Sequence, residues 1–393
     1  MKTPQQQKSR RQFISTVTGA GAVLMLNPLM SWASTVEDPR IAAIVAKTIG
    51  IDTHNHIDVP LNASALPGPD ADLAGEMKKS GLSAICMTFA VDYQKLVKPG
   101  EAYERFTNGL TAMDKMLRSN SMERSMNLAA IKEAHNANTP TVIQSVEGAH
   151  FLEGQLDRLG IAYSRGLRQL GLLHDSDASV PLGDVYTNAA QWGGLTKFGT
   201  DAIKECNKLG VLVDLTHASN ETINAALKIT TRPVIISHTG LDTQLGQNER
   251  MANMMRPRLI SKQQAKIVAD AGGVIGVWTH LADTPMEYAR NIRAMADVAG
   301  IDHVCIGTDT KLTPAYRPAG DGPGSKTGGL PPGGQNRARV GERTNEAWQD
   351  QKAGFYYAVV EAMLQTGFNE DDIAKTGGGN FCRVFDAAMV GHS

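Results

Sequence analysis

Six short apolar runs in this 393-residue chain end on a residue that can bind a metal ion or carry a proton. The first closes with Asp52-Thr53-His54-Asn55-His56. In an extended strand, positions i and i+2 point the same way, so His54 and His56 offer two imidazoles to a single ion. The other endings are Glu147, His174, His217, His238 and Asp309. One His after an apolar run means little, because satisfied core histidines are common. Six ends carrying only His, Glu or Asp form a constellation, with more donors than one four-coordinate ion needs. The expectation is two metal ions bridged by a carboxylate, a centre suited to activating water for hydrolysis.

Those residues need strands to deliver them. Eight β-rich runs lie at residues 49–52, 82–90, 141–146, 167–173, 211–215, 233–237, 273–279 and 303–307. They alternate with amphipathic stretches such as 196–209, 220–229, 261–271 and 286–299. Several of these open on Ser, Thr or Asn and close on Gly, as capped helices do. The pattern reads as α/β, a (β/α)8 TIM-like barrel with its active site at the C-terminal strand ends. An open doubly wound sheet shares the alternation but does not bring ends from the whole chain to one mouth. Two segments interrupt the pattern. Residues 98–138 read as a Met-rich helical insertion outside the barrel. Residues 313–341 hold 5 Pro and 8 Gly and read as a long loop over the mouth, either a lid or a surface excursion.

Charge and composition limit the other function classes. With 39 Lys+Arg against 40 Asp+Glu, the chain lacks the basic excess by which a nucleic-acid binder displaces counterions. Its 42 % hydrophobic and 20 % charged residues exclude a disordered or fibrous chain. Residues 1–33 carry Lys2, Lys8, Arg10 and Arg11 and no acid. An apolar run follows the Arg10-Arg11 pair, and Ser31-Trp32-Ala33 supplies small residues for a signal peptidase. Residues 1–33 are thus expected to be a twin-arginine signal, leaving residues 34–393 as a single barrel domain, periplasmic or otherwise exported, delivered by the twin-arginine export machinery. Cys86, Cys206, Cys305 and Cys382 form no CxxC pair and are read as free thiols. No HExxH or GxSxG motif is present, and Gly324-Ser325-Lys326-Thr327 lacks the glycine of a phosphate loop. His135, His150, His303 and His392 are read as structural, while His280, just past the seventh run, is either a pocket residue or a packed loop residue.

A further set of short motifs keeps a fixed order along the chain. They are Asp52-Thr53-His54-Asn55, Val146-Glu147-Gly148, Leu170-Gly171-Leu172-Leu173-His174 and Gly194-Leu195-Thr196-Lys197-Phe198-Gly199. Then come Val213-Asp214-Leu215-Thr216-His217, Ser237-His238, Pro257-Arg258, Gly307-Thr308-Asp309 and Gly378-Gly379-Asn380-Phe381-Cys382-Arg383-Val384. In this order the chain resembles the membrane (renal) dipeptidases, zinc peptidases of the amidohydrolase superfamily. The resemblance implies two zinc ions per chain and a dipeptide-like substrate. His54, His56, Glu147 and Asp309 would hold one zinc, and Glu147, His217 and His238 the other. His174 would hydrogen-bond the scissile carbonyl oxygen, Asp309 would move protons, and Arg258 would clamp the substrate carboxylate. One position departs, since the family has Asp where this chain has His56, which removes a negative charge from the centre. The alternatives are a hydrolase of another small amide, acylated amino acid or lactone, and a catalytically inactive binding barrel. A homodimer is left open.

Overall fold

Eight of the apolar runs form parallel strands in the computed structural model, which describes residues 38–68, 70–316, 341–389 and 391. They are β1 (Ile51–His56), β2 (Ala84–Thr88), β3 (Thr141–Val146), β4 (Leu167–Gly171), β5 (Leu212–Asp214), β6 (Val234–Thr239), β7 (Val274–Val277) and β8 (Val304–Ile306). A two-residue strand, β9 (Thr310–Lys311), lies beside β1. Each strand pairs with the next, and β1 pairs with both β2 and β8. The sheet therefore closes as the expected (β/α)8 barrel, and the open sheet with two free edges is excluded. Every residue of β1–β8 is buried. That is why the runs read as continuous apolar stretches rather than alternating ones.

The helices start where an oxygen side chain can take up a free backbone N–H. Thr196 caps Lys197–Leu209 by accepting from Gly199, and Ser219, Ser261 and Thr284 do the same for Asn220–Ile229, Lys262–Asp270 and Pro285–Ala299. Residues 98–138 contain two helices, Glu101–Ser119 and Leu128–Asn136. The longer buries Phe106, Leu110, Met113 and Leu117, and Phe106 stacks on Phe151 at 4.0 Å. It packs against the barrel as the crossover from β2 to β3.

The last helix, Asn380–Met389, closes the end of the barrel opposite the strand C-termini. Phe381, Val384, Phe385 and Ala388 pack against Ile51, Ala84, Ile143, Leu212, Ile235 and Val274, which begin or lie near the start of their strands. Asn380 Nδ2 donates to the carbonyls of Ile301 and Val304 at 2.7 and 2.8 Å. The motif at 378–384 is therefore structural. The four cysteines are free and buried. No helix among the described residues is long and apolar enough to cross a membrane. Residues 1–33, residues 317–340 of the Gly/Pro-rich loop, and His392 lie outside the described residues.

Candidate metal centre

Two strands bend their register where they carry ligands. β1 slips between Asp52 and Asn55, around His54, and β6 slips between Ile236 and Thr239, around His238. Such an irregularity re-aims a side chain. Gly276 and Gly307 leave room for the Ser237 carbonyl, since a Cβ on either would stand 1.9 or 1.8 Å from it. His217 and Asp309 have φ of 68° and 56°, in the left-handed region that L residues avoid. That conformation costs about 1–3 kcal/mol per residue and gathers at functional sites. It turns both side chains inward just past β5 and β8.

Glu147 is the hub, and it is 3 % exposed. Its Oε1 lies 2.9 Å from His217 Nε2, 3.5 Å from His54 Nε2 and 3.6 Å from His238 Nε2. Its Oε2 lies 3.3 Å from His174 Nε2 and 3.8 Å from His56 Nε2. His54 and His56 bring their Nε2 atoms to 3.2 Å, and His56 Nε2 lies 2.9 Å from Asp309 Oδ1. Asp309 Oδ2 meets His280 Nε2 at 2.7 Å. His280 thus lines the centre, resolving the reading left open above.

Behind the cluster, other groups hold the far nitrogens. Tyr93 Oη lies 2.5 Å from His56 Nδ1, and Ser237 Oγ lies 3.3 and 3.1 Å from Nδ1 of His54 and His238. His217 Nδ1 faces Tyr186 Oη at 2.7 Å and Asp175 Oδ1 at 3.0 Å. His174 Nδ1 lies 2.6 Å from Asp92 Oδ1. With each Nδ1 occupied, each Nε2 is left facing the centre, the arrangement that outer partners impose on metal-binding imidazoles. Arg258 Nη2 donates to Asp175 Oδ2 at 2.5 Å. A cavity of about 310 Å³ opens beside the cluster, lined by Tyr186, His217, His238, Arg258 and Trp278 among others.

The electrostatics follow from burial and these contacts. Burial lowers His54 and His238 below the usual imidazole range, leaving each a free lone pair. It acts the same way on His217, but hydrogen bonds to Asp175 and Glu147 outweigh it and lift that imidazole to about 10. Burial would raise Glu147, yet the His174 and His54 imidazoles hold it well below the carboxylate range. Burial also opposes ionisation of Asp309, which His238 and His280 keep well below its ordinary value.

The donor set fits a divalent metal. Three groups of His, Glu and Asp place one donor atom each within 4.8 Å of one another: His54–Glu147–His238, His54–His56–Asp309 and Glu147–His174–His217. Glu147 Oε2 is buried and has no hydrogen-bond partner, an arrangement that a cation would satisfy. All seven residues expected at the centre from the strand ends are gathered here, His174 included. Arg258 stands apart from the donors and reaches them through Asp175.

Asp92, Tyr93, Asp175, Tyr186 and Ser237 were missed by the sequence reading. Asp92 and Tyr93 follow the second apolar run and Asp175 follows His174, so the strand-end rule could have flagged those three. Ser237 and Tyr186 carry no such mark. His150, read as structural, donates from Nε2 to the Ser176 carbonyl at 2.9 Å and lies under Asp92. His135 and His303 bond Ser83 and the Gly273 carbonyl, away from the centre.

Known proteins share this architecture. A family model described as membrane dipeptidase (peptidase family M19) matches residues 39–317. An uncharacterized dipeptidase of Schizosaccharomyces pombe is 31% identical over 190 residues, which span 46% of this chain and 44% of that protein. An amidohydrolase from Pseudomonas aeruginosa superposes with a TM-score of 0.67 at 22% identity, over 88% of this chain and 98% of that one. A metallo peptidase from Rhodobacter sphaeroides, liganded with a phosphinate mimic of the dipeptide L-Ala-D-Ala, superposes with a TM-score of 0.63 at 16% identity. That match covers 87% of this chain and 99% of that one.

Proposed function

Because the chain belongs to the membrane dipeptidase family, we propose that it is a metal-dependent dipeptidase that works with two zinc ions. The observation that carries this reading is the buried Glu147 hub, with a ring of imidazole Nε2 atoms and one oxygen lacking a hydrogen-bond partner. His54, His56, Glu147 and Asp309 would hold one ion, and Glu147, His217 and His238 the other. When bound, the ions supply Lewis acidity for water and for the scissile carbonyl.

This chain's own residues do the rest. Burial disfavours a charged His174, but the Glu147 charge and the Asp92 hydrogen bond outweigh it, so the imidazole keeps a proton to offer a carbonyl oxygen. Asp309, held ionised, can take a proton at its carboxylate and return it to the leaving amine. Arg258 stands at the cavity wall, where its N–H groups can hold the carboxyl end of a substrate. The Rhodobacter sphaeroides enzyme's dipeptide mimic supports a dipeptide as substrate, one with a D residue at the carboxyl end included.

The test is metal content per chain together with hydrolysis of Ala-Ala dipeptides and their C-terminal amides, before and after chelation. About two zinc per chain, with activity lost on chelation and restored on metal return, is the expected result. Fully metal-loaded protein that cleaves none of these peptides overturns the reading in favour of another small amide or a lactone. The signal-like residues 1–33 support export in the folded, metal-loaded state. Protein recovered from the periplasm should therefore begin at Ser34.

A further inference from the structure

Arg258 has a counter-charge before any substrate arrives. Its Nη2 donates to Asp175 Oδ2 at 2.5 Å, and Nη1 reaches the Met254 carbonyl only at 3.4 Å. No other carboxylate among the described residues is paired with it. Asp175 is not a loose surface acid able to swing away without loss. Its Oδ1 accepts from His217 Nδ1 at 3.0 Å, and Tyr186 Oη lies 3.4 Å from the same oxygen. Tyr186 in turn stacks on His217 at 5.3 Å, and the Arg258 guanidinium lies 5.9 Å from the Tyr186 ring centre. One carboxylate therefore ties a metal-facing imidazole to the arginine at the cavity wall, with both partners held in place.

Two carboxylates on one guanidinium repel each other and share its single positive charge, so each weakens the other's hold on it. A substrate carboxylate at Arg258 would meet Asp175 as a neighbour, and like charges in contact at a binding site are strongly disfavoured. A neutral carboxyl end meets no such repulsion. Its carbonyl oxygen can still accept from the guanidinium N–H groups that Asp175 leaves free. We propose that Asp175, by pre-pairing Arg258 beside the cavity, is a specificity-determining residue that turns this site toward dipeptides whose carboxyl end is neutral, such as C-terminal amides. The inference rests on the dipeptidase reading and deepens it. The reaction is unchanged: water adds across the inner peptide bond, releasing one amino acid and one amino-acid amide.

The experiment compares kcat/KM for Ala-Ala and Ala-Ala-NH2 on zinc-loaded protein, following cleavage of the inner peptide bond. The wild type is expected to cleave the amide at least as well as the free dipeptide. Asp175→Asn should shift the ratio about tenfold toward the free dipeptide, chiefly through its KM. Any effect of that change on metal binding through His217 acts on both substrates and cancels in the ratio. Arg258→Met should move the ratio the other way, because Asp175 is then left without its cation. A wild type that prefers the free dipeptide by more than tenfold, or ratios unmoved by both substitutions, overturns the inference and leaves the dipeptidase reading standing. If no form cleaves either peptide, the dipeptidase reading falls and takes this inference with it.

Discussion

At the scale of single residues, each metal-facing imidazole is set by what holds its other nitrogen. Tyr93, Ser237, Asp175, Tyr186 and Asp92 perform that task. His56 shows the consequence most clearly. Its Nδ1 is met by the Tyr93 hydroxyl at 2.5 Å, so its Nε2 faces Asp309 and His54. Proton competition follows from His217. Its folded, metal-free pKa of about 10 stands above the ordinary 6.5. The stability that its proton contributes is therefore fully present below about 6.5 and is lost as pH rises through about 10. Metal binding needs that nitrogen bare, so affinity runs the opposite way. Apparent zinc affinity, measured by chelator competition, should climb roughly tenfold per pH unit for each proton displaced. A flat profile between pH 6 and 8 would show that no imidazole proton is lost on binding.

At the scale of elements, the centre depends on irregularities that join one strand to the next. Asp52 on β1 accepts from the backbone and hydroxyl of Thr308 at 2.8 and 2.6 Å, and from Asn55 Nδ2 at 2.8 Å. Burial nevertheless lifts its carboxyl to about 6. This knot fixes the turn after β8 that presents Asp309 in its left-handed conformation. Thr308→Val keeps the shape and removes the hydroxyl donor. The cost should be about 1–3 kcal/mol, because the buried Asp52 Oδ2 loses one of its two donors and keeps only Asn55 Nδ2. Urea denaturation measures it, and a loss of zinc affinity should accompany it as Asp309 is released. The sequence showed Asp52 and Thr308 inside motifs, but nothing in a linear reading pairs two residues 256 positions apart.

At the scale of the whole molecule, the barrel divides its labour between two ends. The mouth carries strained backbone and buried charge, while the far end carries a plain apolar plug. Phe385 in the last helix is fully buried there and stacks on Phe381 at 5.4 Å. Phe385→Ala should cost about 3–5 kcal/mol through lost burial and a residual cavity. Thermal unfolding reads that loss, and zinc content per folded chain should not change, since the plug lies across the barrel from the metal-facing groups. The barrel and the strand-end residues were legible in the sequence because both obey local rules. Apolar runs of strand length mark buried strands, and polar residues directly after them must lie at one end of a parallel sheet. Strand closure was inferable for the same reason, since residues from β1 to β8 had to meet. The supporting contacts obey no local rule. Asp92 reaches His174 across 82 positions and Asp175 reaches Arg258 across 83. The sequence by itself determined which residues converge on the mouth. Only the tertiary structure decided how Asp175 neutralises Arg258 and which nitrogen of each imidazole faces the centre, because those depend on angstrom distances between strands that no spacing along the chain encodes.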